Sequence, residues 1–484
     1  MLCKIRYRRS TPLPDVRYVI LSDLHFGAEN SILTALADSP DPTADPTRRS
    51  PVMSCLADCL AQLIGANEGS EPPTLVLAGD VLELALADDE VAAAVLEQFT
   101  DLVVGDHPLF ADEIWFVPGN HDHHLWETAR EGQYADQLRS LSPTAPIPAP
   151  IHATCLFPKQ GDALLESELL TAVLQRRHKT TKAHMRAVYP NLGLRSSDGK
   201  RCVIVHHGHY IESMYQLMSS LNLLMFNKPL PRDITEIEGD NFAWIDFFWS
   251  SLGRSGDVGV DVNRLYDMLQ SEKAVDRLVL TLATAIADKA PGGRARKWVT
   301  RRIMRDLFAH LVKHAGRFER HHPTDALSAN AKKGLQAYLE GPLLAQISSE
   351  LDVVPRTTLV FGHTHKPFET TFNAAGFGEP VNLANTGGWV VDTVDTNPLQ
   401  GAAAVLVDED LDVASLRLYD QHDDATSYRV RVSSVTGAES QLVKRLTGLV
   451  QPDVGCWRAL SEAVAVAVPE RHRALQTIIE RSTP

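Results

Sequence analysis

The sequence predicts an α/β fold carrying a large, mostly helical insertion, and three observations lead there. From Val16 to Val205, short β-prone apolar runs alternate with stretches whose apolar residues recur at helical spacing. Five of the chain's apolar runs end in a short polar block, the arrangement by which an α/β sheet gathers side chains at its strand ends. Between His207 and Gly362 roughly 150 residues read as helix and are enough for a small domain.

Composition allows this. At 484 residues two or more compact units are expected, and 44% hydrophobic with 22% charged residues is ordinary for a globular protein. A net charge of −14 argues against long nucleic acid as a partner. The N-terminus, Met1 to Arg9, is basic but leads into no long apolar region, so no secretory signal is expected. No apolar run is long enough to span a membrane. The six cysteines (Cys3, Cys55, Cys59, Cys155, Cys202, Cys456) lack paired zinc-site spacing, and Cys55 and Cys59 read as small core residues. The expectation is a reduced, soluble, cytoplasmic protein.

The elements follow in order. Tyr18 to Leu21, Thr74 to Leu77, Ile114 to Val117, Val203 to Val205 and Thr358 to Phe361 read as strands. Cys55 to Ile64 and Val91 to Leu102 read as helices. Ala28 to Pro51, rich in Pro, Asp and Ser, reads as a long loop, and Ser142 to Pro158, with five prolines, as another. In the insertion, Ile211, Met214, Met218, Leu221 and Met225 share helical spacing, as do Leu265, Leu269, Leu278, Leu282 and Ile286. Beyond it, Asn385 to Trp389 forms a glycine-bearing turn. Ala402 to Val407, Val413 to Tyr419 and Ser427 to Val432 alternate as antiparallel strands, and Ser440 to Ser482 returns to helix.

The polar blocks carry the chemistry. They are Asp23-Leu24-His25, Gly79-Asp80, Gly119-Asn120-His121-Asp122, His207-Gly208 and Gly362-His363-Thr364-His365. Asp-x-His alone says little, and Gly-Asp after a strand is usually a turn. Two imidazoles one residue apart rarely serve a core, so Gly-His-Thr-His is sharper. The joint occurrence, in order and at strand ends, decides the matter. Oxygen and nitrogen donors without a thiolate suit Mn, Fe, Zn or Co.

With these blocks, from Asp23 to His365, the chain resembles the calcineurin-like metallophosphoesterase superfamily. The resemblance implies a four-layer αββα sandwich with a large, mostly helical cap. Residues 1–210 and 356–432 would be the two parts of the catalytic core, 211–355 the cap, and 433–484 a helical tail. It implies that Asp23, His25 and His365 hold one divalent cation, that Asn120, His207 and His363 hold a second, and that Asp80 bridges them. Cations about 3.5–4 Å apart repel, so a shared carboxylate is physically apt. The activity implied is hydrolysis of a phosphodiester, pyrophosphate or phosphomonoester, small-molecule or lipid-linked, by a metal-bridging hydroxide. His121 would face the leaving-group oxygen and donate a proton, with Asp122 orienting its ring. The alternatives are a metal-binding scaffold for protein contacts and a nuclease.

Several residues keep two readings. His206, His207 and His209 flank Gly208, and the resemblance selects His207. His209 is either a hydrogen-bonded structural residue or an approach to the metals from the cap. His123 and His124 read as helix-start residues facing water, with contact to substrate phosphate as the alternative. The insertion holds 18 basic and 18 acidic residues, yet Arg294 to Arg320 contains nine basic against two acidic. That stretch is either a solvated helix with Val299, Ile303, Leu307 and Leu311 in the cap core, or a wall for phosphate or an anionic membrane. Phe242 to Trp249 is apolar on every face but Asp246. It is either buried in the cap or lines an acyl-chain or nucleobase pocket.

Overall fold

The computed structural model describes residues 13–39, 43–105, 107–158, 165–179, 181–251, 324–421, 428–436 and 440–482. Two sheets form the centre. In the larger, β1 (Val16–Leu21), β4 (Thr74–Leu77), β5 (Glu113–Phe116) and β6 (His184–Ala187) run parallel. On the other side of β1 lie β12 (Gly401–Asp408), β13 (Val413–Asp420) and β14 (Arg431–Ser434), all antiparallel to their neighbours. In the smaller sheet β8 (Arg201–His206), β9 (Arg356–Phe361) and β11 (Val381–Asn385) are parallel. The antiparallel strands β7 (Asn191–Arg195) and β10 (Phe368–Phe372) close its edges.

Strand side chains alternate between faces, and here the alternation sorts them into three cores. Ile20, Val76 and Val117 of the larger sheet meet Leu192, Val203, Val205 and Val360 of the smaller. Val19, Leu21, Leu75 and Leu77 face α1 (Pro51–Ile64), α2 (Asp89–Val103) and the C-terminal helix Gly455–Ser482. Ile204, Leu359, Phe361 and Leu383 face α6 (Ile234–Ile245) and the helix Ala329–Tyr338. With both faces covered, the inner strands are nearly continuous apolar runs, which is how they read in the sequence.

Several expectations need correction. Ala28 to Pro51 is not all loop: β2 (Thr34–Leu36) and β3 (Ala44–Arg49) pair as a small hairpin. The sequence hides it because β3 is polar, half exposed and carries Pro46, tolerated only at a sheet edge. The strand expected over Ser427 to Val432 is Arg431–Ser434 instead. The helix expected from Ile211 begins as two 3₁₀ turns, His209–Ile211 and Ser213–Gln216, and becomes α5 only over Leu217–Phe226. Phe242 to Trp249 is neither wholly buried nor wholly exposed: Ile245 and Trp249 are covered while Phe247 is 57% exposed. Leu265 to Ile286 and the basic stretch Arg294 to Arg320 lie outside the described residues.

Among the described residues no helix is long and apolar enough to cross a membrane.

Candidate metal centre

Every polar block follows the C-terminal end of a strand: β1 and β4 deliver Asp23, His25 and Asp80, β5 delivers Asn120 and His121, β8 delivers His207, and β9 delivers His363 and His365. The turns there are tight. Among the described residues seven non-glycine residues have positive φ, and five of them are Asp23 (51°), His25 (45°), Asp80 (50°), His363 (68°) and His365 (56°). Each such residue costs on the order of 1–3 kcal/mol, so this backbone is held by its surroundings for the sake of the side chains. The glycines serve neighbouring blocks. A Cβ on Gly362 would overlap Oδ2 of Asp23, and one on Gly119 would overlap Oδ1 of Asp80.

Two buried trios gather the expected ligands, Asp23 with His25 and His365, and Asp80 with His207 and His363, and a third joins His25 with Glu83 and His121. Asp80 stands between them, its Oδ2 3.7 Å from Nε2 of His25 and 3.2 Å from Nε2 of His207. The Asn120 Oδ1 is 3.1 Å from the same His207 nitrogen. The seven residues expected to hold cations therefore converge.

What they present to one another is the test of a cation. Nδ1 of His25 donates to Glu83 Oε2 at 2.8 Å, and Nδ1 of His365 donates to Asp392 Oδ2 at 2.5 Å. These bonds assign the tautomer and leave both Nε2 lone pairs inward, 3.3 Å apart and 3.3 Å from Asp23 Oδ1 in the case of His365. His207 repeats the pattern: Nδ1 donates to Ala78 O at 3.0 Å and Nε2 faces the oxygens of Asp80 and Asn120. His363 uses the other nitrogen, donating from Nε2 to Glu212 Oε1 at 2.7 Å, which leaves Nδ1 as its ligating atom. Acceptors facing acceptors at such distances need positive charge between them. The donor set therefore fits divalent cations.

The same demand shows in the titration of the side chains. Burial pushes His365 down, but Asp392 and Asp23 outweigh it and hold it up at about 10. Burial likewise opposes His207, and Asp80 raises it to about 9. Burial raises Asp80, yet His207 and His121 draw it well below the usual carboxylate range.

His121 lies beside the trios on a small pocket lined by Asp80, Asn120, Glu212, Tyr215, His363 and His365. Its Nδ1 donates to Glu83 Oε1 at 2.7 Å, so one carboxylate holds both His25 and His121. Glu83 is pushed up by burial and pulled down further by the two imidazoles, to about 2. The expectation that Asp122 orients His121 is therefore corrected. The Asp122 carboxylate accepts backbone N–H groups of Val81 (2.7 Å) and Gly119 (2.7 Å), tying the β4 and β5 turns together. Burial and the neighbouring Asp80 raise it to about 7. Glu83, Glu212 and Asp392, which hold imidazoles of the centre, are residues that the sequence reading missed. Glu83 stood three residues after Asp80 and could have been noticed, while Glu212 and Asp392 had no local signal.

Three further histidines singled out in the sequence pair with protein groups. His123, expected to face water, is fully buried and its Nε2 donates to Glu238 Oε1 at 2.9 Å. Half-exposed His124 pairs with Asp246 at 3.0 Å. His209 is buried against the Tyr189 hydroxyl at 3.1 Å. His123, Glu127 and Glu238 form a further cluster with metal-like spacing. Protein donors already fill it: Arg130 pairs with Glu127, and the Tyr189 and Tyr210 hydroxyls donate to Glu238.

Mixed sheets with buried nitrogen and oxygen donors gathered at their strand ends define a metal-dependent hydrolase. The chain belongs to the calcineurin-like phosphoesterase family, whose profile matches residues 16–262 and whose members typically bind two metals. No protein with a curated description matches it significantly.

Proposed function

We propose that the centre hydrolyses a phosphodiester, pyrophosphate or phosphomonoester on a small or lipid-linked molecule, using two divalent cations of the Mn, Fe, Zn and Co group. The observation that carries this reading is His121, anchored by Glu83 and sharing one pocket with both donor trios. In this reading Asp23, His25 and His365 hold one cation, Asn120, His207 and His363 the other, and Asp80 both. When bound, the cations lower the pKa of water and neutralise charge on the phosphoryl oxygens.

The chain's own groups do the rest. Glu83 accepts the His121 Nδ1 proton and stabilises the imidazolium, so that Nε2 can protonate the departing oxygen. Tyr215 and Glu212 wall the pocket and limit the size of group that reaches it.

The scaffold we propose is the four-layer αββα sandwich, with 211–355 as a cap. Exposed Leu223, Phe226 and Leu230 in the described part of that segment favour a lipid-linked substrate and peripheral membrane contact.

Purified protein with Mn²⁺ should turn over chromogenic phosphodiesters or monoesters, or release phosphate from a pyrophosphate panel. The variant His121→Ala should lower kcat by about 10²–10⁴-fold while leaving metal content unchanged. Equal turnover by wild type, His121→Ala and Asp80→Asn would sink the reading.

A further inference from the structure

The segment that follows β8 makes a hydrogen bond to each of two expected ligands of the same cation. Glu212, just beyond the 3₁₀ turn His209–Ile211, accepts the Nε2 proton of His363 at 2.7 Å across 151 residues of sequence. Ser250, in the π-helical turn Asp246–Ser251, donates from Oγ to the backbone oxygen of Asn120 at 2.7 Å. Ser250 is fully buried and Glu212 is only 12% exposed at its side chain.

Asn120 and His363 belong to one prospective cation. Among the described residues the hydrogen bonds that orient the ligands of the other come from outside 211–251: His25 is held by Glu83, His365 by Asp392, and Asp23 by the Ser22 hydroxyl and the His363 N–H. Carboxylate partners fix the tautomer of a ligating imidazole and raise its basicity, and losing one typically weakens metal binding about 10–100-fold. By accepting from Nε2, Glu212 makes Nδ1 of His363 the donor atom. By pinning the Asn120 carbonyl, Ser250 fixes the peptide from which the Asn120 amide projects.

We propose that Glu212 and Ser250 are positioning residues that make the site of the second cation depend on residues 211–251, while the first cation is held by the core. This rests on the two-cation reading above. It predicts that the centre can be half dismantled from residues 211–251, which symmetric coordination by strand ends alone would not allow.

The test is Mn²⁺ titration of the full chain after chelation, followed by calorimetry, elemental analysis and Mn(II) magnetic resonance. Wild type should take up two Mn²⁺ with a coupled spectrum. Glu212→Ala should keep one at wild-type affinity, bind the other about 10–100-fold more weakly, and show an isolated Mn(II) signal when half loaded. Glu212→Gln, which keeps an acceptor without the charge, should fall between, and Ser250→Ala should weaken the same ion. Asp392→Asn should weaken the opposite one.

Melting of the metal-free variants should match wild type; if Glu212→Ala fails to fold, Glu212→Gln carries the test. Two ions bound by wild type and equally tightly by the Glu212 variants would overturn this inference alone, as would equal weakening of both ions. Failure of wild type to take up two ions would remove the two-cation reading itself.

Discussion

Each imidazole of the centre gives one ring nitrogen to a protein acceptor, so the residue at the far end of that bond decides what the other nitrogen can do. Glu83, Asp392, Glu212 and Ala78 O play this part for His25, His365, His363 and His207. In the metal-free protein a proton takes the place of a cation, which gives a definite pH dependence. An unfolded histidine titrates near 6.5, whereas His207 and His365 hold their protons to about 9 and about 10. Both folded values are raised, so their stabilising contribution is complete below about pH 6.5 and lost as pH rises through those values. Asp122, raised to about 7, acts in the same direction from lower pH. Cations must displace the same protons, so their affinity should climb over this window. The chelated protein should therefore melt at falling temperature from pH 6.5 to 10, while added Mn²⁺ should restore progressively more of the loss. A Mn²⁺-induced gain that is flat with pH would contradict the assignment.

At the scale of elements, the strand-end blocks were legible because each joins a ligand to a β-prone apolar run, and four of the five add a glycine. Gly119 and Gly362 explain why the glycine belongs there: each leaves space for a carboxylate from a different block. Gly362→Ala should displace Asp23, and Gly119→Ala should displace Asp80. A shift near 1 Å at a reacting centre costs about 100-fold, so kcat/KM should drop on that order while the fold persists by circular dichroism. Elements whose local pattern is weak were not legible. The hairpin β2–β3 is polar and edge-like, and its Pro46 carbonyl is held by Gln98 of α2, a contact with no trace in local sequence. His123 was misread for a related reason: its partner Glu238 lies 115 residues away on α6. Neighbouring residues reveal a ligand at a strand end, but not the acceptor that orients it from another part of the chain.

Across the whole molecule, the two ends of the described chain are joined by buried arginines. Arg471 of the C-terminal helix donates from Nε to Ser31 O at 3.1 Å and also reaches Thr34 O. Burial lowers its pKa to about 10. Arg445 bonds the Leu13 and Pro14 carbonyls and pairs with Asp15 at 3.1 Å. Arg471→Ala would strand two carbonyls, and leaving a buried polar group unpaired costs about 1–3 kcal/mol. Its denaturation midpoint should fall accordingly, with the m-value unchanged. That would show the tail to be part of the core's outer layer, where Trp457, Leu460, Val464 and Val468 pack with α1.

The segment Arg471 grips begins six residues after His25, so the loop leaving the first polar block is fastened from a helix 440 residues further along the chain. A chain cut before residue 455 would keep every prospective cation ligand and still lack the helix that covers α1. Such a truncation should therefore loosen the first polar block although it removes none of its side chains.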